Sequence, residues 1–346
     1  MFIIDMQNRL LKTLTGKSVD RPALWMMRQA GRYLPEYLKT RQEAGSFWNL
    51  CFNPDLATEV TLQPIRRFDY DAAIIFSDIL VIPQAIGQKV EFQPNHGPIL
   101  DALQWDQICQ FQDWQKFDQG LSPVYQAIRQ TRQQLNTSKD LIGFAGTPWT
   151  IATYMIDQGK GHDHSKSRLA LNDPTTLIPL IEILTTAIAR HLVNQVKAGA
   201  DVIQLFDSWA SIVPHQHRDL LLFNPLEKII SLIHAELGHS VPLIYFGRGI
   251  SDSYKHLCQR NLPVALGIDQ NADLHQLHQD LPSNVVFQGN LSPQVLIDGG
   301  SALDRDIESI LTLYRNRPMI FNLGHGILPQ TPIAHVERVC ELVRAA

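Results

Sequence analysis

Eight short apolar runs, each of strand length, each ending in polar residues and each followed by a helical pattern, constrain this chain more than any other feature. They lie at 23–27, 72–76, 141–145, 201–206, 242–246, 264–268, 285–287 and 319–323. Alternation of strand and helix predicts parallel strands, and eight repeats of it match a closed (β/α)8 barrel, the TIM-barrel class of α/β fold. The competing open, doubly wound sheet wants a glycine-rich phosphate turn after its first strand. Arg-Gln-Ala-Gly-Arg at 28–32 is not one. A length of 346 residues would accommodate two domains, but a barrel of this size is usually one. The longest connection, 79–140, carries no Ser/Gly-rich linker. A small β excursion at 89–92 and a helix at 123–135 are expected within it. An amphipathic helix at 8–14 precedes the first strand, and Asn53-Pro54 opens another by pairing a cap residue with proline at the first helical position.

Composition narrows the function classes. With 45% hydrophobic residues the chain has ample core, and a net charge of −4 lacks the basic excess that nucleic acids or anionic membranes select. Any anion site must therefore be local. Cys51, Cys109, Cys258 and Cys340 show no paired spacing, which fits a reducing cytoplasm. The N-terminal residues lack a basic region ahead of an apolar run, and no segment reaches about 18 uninterrupted apolar residues, so neither a signal peptide nor a membrane span is expected. Residues 159–167 are polar and glycine-punctuated and read as a mobile loop. Its His162 and His164 have no third partner nearby, so they read as solvated residues and no metal site is expected.

In a barrel, functional groups collect at the C-terminal ends of the strands. Those ends carry Arg28, Arg32, Asp78, the segment through Tyr154, Asp207-Ser208, Asp269, Asn290 and His325. Nearly all are polar, as a large, multiply hydrogen-bonding ligand requires. Arg28 and Arg32 present two guanidinium forks on either side of Gln29, Ala30 and Gly31, with Gly31 giving the chain room to bend. Two such forks repel unless an anion lies between them, and each matches a carboxylate or phosphate. Asp78, after a buried run, is either a cap for the following helix or a charged group of the site, and the residues alone leave both open. Tyr154 reads equally as a buried helix ring, and Ser208 as a cap. His325, between two glycines, presents its ring to the mouth as a switchable donor.

Residues 22–36 (PALWMMRQAGRYLPE) and 143–159 (GFAGTPWTIATYMIDQG) resemble the two signature stretches of the uroporphyrinogen decarboxylase family. Leu205-Phe206-Asp207-Ser208, Gln288-Gly289-Asn290-Leu291 and Asn322-Leu323-Gly324-His325-Gly326 match its later segments, so the resemblance spans essentially the whole chain. It implies a homodimeric, cofactor-free barrel that converts the four acetate side chains of uroporphyrinogen to methyl groups, giving coproporphyrinogen for haem synthesis. It also implies that Asp78 is the essential aspartate, that Arg28, Gln29, Ala30, Gly31 and Arg32 meet the substrate, and that Tyr154, Ser208 and His325 contact it. Arg28 becomes a candidate proton donor, although arginine is a weak acid near neutral pH. A substrate carboxylic acid or a bound water is the other candidate source.

The chemistry is consistent with that implication. A pyrrole protonated at a ring carbon is its own electron sink, the task that pyridoxal phosphate performs elsewhere, and a carboxylate aimed at the pyrrole N–H groups supplies counter-charge. Two alternatives remain. A zinc- and cobamide-dependent methyltransferase of the same superfamily would use a His-x-Cys pair, for which His256-Leu257-Cys258 supplies the string. That string falls in an expected helix, where residues two apart face different ways. A non-catalytic tetrapyrrole carrier would gain nothing from Asp78 in a pocket for an octa-acid.

Overall fold

The computed structural model describes residues 8–93, 97–159, 163–313, 315 and 317–346. Eight parallel strands form one sheet: β1 (Ala23–Leu24), β2 (Ala72–Ile74), β5 (Asp140–Gly146), β6 (Val202–Asp207), β7 (Leu243–Gly247), β8 (Val264–Gly267), β9 (Phe287–Gln288) and β10 (Met319–Phe321). Their spatial order is β1-β10-β9-β8-β7-β6-β5-β2. The sheet nearly closes. At its one unladdered seam Asp71 N–H donates to Leu24 C=O at 2.9 Å, and Leu24 N–H donates to Asp71 Oδ2 at 2.8 Å. The remaining two strands, β3 (Val90–Gln93) and β4 (Gly97–Leu100), pair antiparallel outside the barrel, enlarging the expected excursion into a hairpin.

Alternate residues of each strand point to opposite faces, and the barrel interior obeys that parity. Ala23, Trp25 and Met27 of the first strand and its extension meet Ala72, Ile142, Val202, Ile244, Phe246, Ala265, Val286 and Ile320. Leu10, from the helix Arg9–Leu14, plugs the N-terminal end of the barrel. Halfway up, a buried polar chain runs from Trp25 Nε1 to Gln288 (2.9 Å) and from Gln288 to Gln204 (3.1 Å). Outward positions such as Ile203 and Leu205 pack against the helix ring.

Two expectations need correction. The helix placed at 123–135 is in fact Trp114–Gln134, capped by Asp113, with Pro123 in its interior. Proline there removes the hydrogen bond to Gln119 C=O, and the Ser122 hydroxyl replaces it at 2.8 Å. His164 is not a solvated loop residue: it is buried, packed against Trp209 with ring centroids 4.1 Å apart and the rings tilted by 55°, and its Nδ1 lies 3.6 Å from Asp157. Burial holds its pKa below the ordinary value. His162 lies outside the described residues. The helix Pro174–Ala198 is apolar and long enough to cross a membrane by composition; here it is a barrel helix with 61% of its most apolar window buried.

Candidate active site

The first two strands end differently, and the difference sets up the site. After β1 the chain stays in the barrel through Met27, whose N–H donates to Asn322 Oδ1 at 2.9 Å while Leu323 N–H donates to the same oxygen at 2.8 Å. One buried amide thus ties the end of β1 to the end of β10. The next residue, Arg28, turns sharply with φ 61, a left-handed conformation that costs a bulky side chain free energy. Its stem lies over Gly326, where any Cβ would collide with it. That glycine therefore lets Arg28 and His325 share one edge of the mouth.

Gln29 takes a framework position. Its side chain is fully buried, accepting from Met26 N–H and donating to Ala72 C=O, both at 3.3 Å. Beyond it Ala30 and Gly31 are half-buried and Arg32 is exposed. Burial raises the Tyr37 hydroxyl pKa, and the charges of Arg41 and, less, of Arg32 lower it. Tyr37 packs on Phe76 at 5.7 Å, two residues before Asp78.

Asp78 ends the extension of β2. It is half-buried, and Leu80 N–H donates to its Oδ1 at 2.8 Å, so the capping role is present on one oxygen. No described residue donates to the other. Desolvation pushes its pKa up to about 6, while the Leu80 N–H and the Arg28 charge pull the other way. Asp78 also raises, and Arg28 lowers, the Tyr154 phenol, on which burial is the largest influence. The charges of Asp78 and Arg28 thus both act on Tyr154.

Tyr154 comes from the helix Pro148–Asp157. Asp207, fully buried at the end of β6, accepts from Thr150 Oγ1 of that helix at 2.8 Å and from Tyr245 at 2.9 Å. Desolvation raises it to about 6. Its role is to fix the helix that carries Tyr154. Ser208 follows it, half-buried on the rim. His325 is held at about 4, first by burial and then by the charges of Arg28 and Arg248. Its imidazole is neutral at pH 7, and a carboxylate beside it would raise it again.

Three features were missed by reading strand ends alone. Phe144, Phe206 and Phe246 form an aromatic floor, with edge-to-face contacts at 5.7 and 6.3 Å. Arg248 stands at the end of β7, and Asn322 organises two strand ends. Inward strand parity is the signal that would have found the phenylalanines and Arg248. The mouth thus has an apolar floor, a carboxylate and phenol above it, and cationic groups at the rim.

Among the described residues no three His, Cys, Asp or Glu side chains converge as metal ligands do. His256 and Cys258 lie on the helix Tyr254–Gln259, with His256 bonded to Asp219 at 2.8 Å.

Comparison with known proteins bears on the family and the fold. The chain is similar to "Uroporphyrinogen decarboxylase" of Mesorhizobium japonicum, 44% identical over 97% of this chain and 98% of that one. The protein of the same description from Chelativorans sp. is 43% identical over 98% of both. A methyltransferase from Methanosarcina mazei superposes with a TM-score of 0.80, covering 98% of each chain at 18% identity, a likeness of fold alone. The family model described as "Uroporphyrinogen decarboxylase (URO-D)" matches residues 5–346, and the chain belongs to that family.

Proposed function

We propose that this protein removes the carboxyl groups of the four acetate side chains of uroporphyrinogen, leaving methyl groups. The observation that carries the reading is Asp78, a half-buried carboxylate with one oxygen held by Leu80 N–H and the other free to receive pyrrole N–H groups. A tetrapyrrole offers a flat apolar body and a carboxylate perimeter, which complement the phenylalanine floor and the arginine rim. Binding energy from the perimeter then positions the reacting acetate.

In the reaction a proton adds to a ring carbon, and the bond from the side-chain methylene to the carboxylate breaks. The electron pair flows into the cationic pyrrole, CO₂ leaves, and a proton returns to the methylene as the ring loses one. Net, one proton replaces one CO₂. Asp78 stabilises the cation as preorganised counter-charge. Arg28 and Arg32 hold substrate carboxylates, Tyr154 and Ser208 donate hydrogen bonds, and neutral His325 joins them at the rim.

The reading needs no metal or organic cofactor, because the substrate is its own electron sink. It includes a homodimer in the cytoplasm, as expected from the family. Incubating purified protein with the reduced octacarboxylate porphyrinogen and separating products by carboxylate number tests it; recovery of the octacarboxylate alone would refute it. Dialysis against a strong chelator should leave turnover unchanged, whereas a loss restored by zinc would favour the methyltransferase reading.

A further inference from the structure

Arg28 and Arg32 serve one side of the mouth. The substrate carries carboxylates around its whole perimeter, so the opposite side also needs a cation. In the spatial order of the sheet, β7 is separated from β1 by three strands in one direction (β10, β9, β8) and by three in the other (β6, β5, β2). The end of β7 is therefore diametrically across the barrel from Arg28.

We propose that Arg248 is a third substrate-binding arginine, receiving a peripheral carboxylate of the tetrapyrrole on the side of the mouth opposite Arg28. The inference rests on the decarboxylase reading and extends it to a residue that reading does not use. Ile244 and Phe246 are interior residues of β7, and the same parity carries Arg248 inward.

Its backbone is fixed on both sides. Arg248 N–H donates to Asp207 C=O at 3.1 Å, and Gly249 N–H donates to Asp269 Oδ2 at 2.9 Å. Gly249 has φ 71, and a Cβ there would come within 2.8 Å of Ser211 Cβ, so the turn accepts no other residue comfortably. The guanidinium is half-buried, and its charge reaches His325 together with that of Arg28. No described carboxylate neutralises it. Arg218 shows the contrast: its guanidinium bonds Asp252 and Ser253. A half-buried guanidinium fixed at its base and left without an anion is suited to bind one that arrives with the substrate.

Steady-state kinetics of Arg248→Gln and Arg248→Lys, with octacarboxylate and pentacarboxylate porphyrinogens, test the proposal. For the octacarboxylate, Arg248→Gln should raise KM by about 10-fold with kcat within about twofold, and lysine should recover part of the loss. Thermal stability should not move, because the side chain has no hydrogen-bond or ion-pair partner among the described residues to lose. A penalty of equal size on both substrates assigns the carboxylate to a propionate, and one confined to the octacarboxylate assigns it to an acetate. An unchanged KM for Arg248→Gln beside an active wild type would overturn the proposal. An inactive wild type would instead overturn the decarboxylase reading.

Discussion

The two ends of the barrel use the same residue types in opposite states. At the N-terminal end Asp71 is saturated: it accepts from Arg9 at 2.8 Å, from Arg21 at 2.7 and 3.0 Å, and from Leu24 N–H at 2.8 Å. Arg9 also bonds Asp20, and Leu10 seals the interior beside this network. At the C-terminal end Arg28, Arg32 and Arg248 have no described carboxylate partner, and Asp78 has one backbone N–H. Paired charges close a seam; unpaired charges await a ligand. The first arrangement stabilises the fold, and the second keeps electrostatic complementarity in reserve for the substrate.

The largest effect expected from this contrast is at the closed end. Asp71→Ala takes from the partly buried Arg21 guanidinium its carboxylate, from Arg9 one of its two carboxylates and from Leu24 N–H its acceptor, and should lower unfolding free energy by about 3 kcal/mol. Turnover per folded molecule should survive. A variant as stable as wild type in denaturant titration would show that the seam does not depend on this network.

Asp78→Asn should have the reverse signature. The amide can still accept the Leu80 N–H but lacks the counter-charge, so CO₂ release should fall on the order of 10²-fold to 10³-fold, the size of a single oxyanion-hole deletion. Asp78→Glu keeps the charge and should retain more activity than the amide. If Asp78 were only a cap, asparagine would preserve the rate.

Acidification acts on the same group more gently. Because desolvation raises Asp78 to about 6, the charged form required for catalysis is lost as pH falls through that value. A kcat/KM profile should therefore drop to about one-tenth of its plateau near pH 5. A profile flat to pH 5 would remove Asp78 as the titrating group.

The smallest effect is expected at Arg32, which is exposed. Arg32→Lys keeps the charge and loses the bidentate fork, so KM should rise by roughly fivefold with little change in kcat. Equal kinetic constants would return Arg32 to the ordinary surface.

The open end was far more legible in the sequence than the closed end. A polar residue directly after an apolar run marks a strand exit locally, which is how Arg28, Asp78 and His325 are found at positions spread over the chain; Tyr154, on the helix Pro148–Asp157, enters through the family resemblance. Asp71 and its arginines carry no such mark. Arg9 and Asp71 are separated by 62 residues, and only the closed seam brings them together. Arg248 is absent from the strand-end residues of the site, because its inward direction follows only from parity with Ile244 and Phe246. His164 reads as a solvated residue, and the framework bonds of the Gln29 side chain carry no mark, since burial of a polar side chain depends on neighbours that its own segment does not reveal. Pro123 reads as a helix start because the Ser122 hydroxyl that makes an interior proline tolerable is not a recognised signal.

The central claim is that Asp78 is kept charged for the reaction at no benefit to the fold, and denaturant unfolding of Asp78→Asn beside wild type at pH 7 tests it most directly. Removing a desolvated charge while keeping the hydrogen bond to Leu80 should leave stability unchanged or raise it by up to about 1 kcal/mol, in the same preparation that has lost turnover. A loss of stability above about 2 kcal/mol would contradict the account and assign Asp78 to the framework, alongside Asp71.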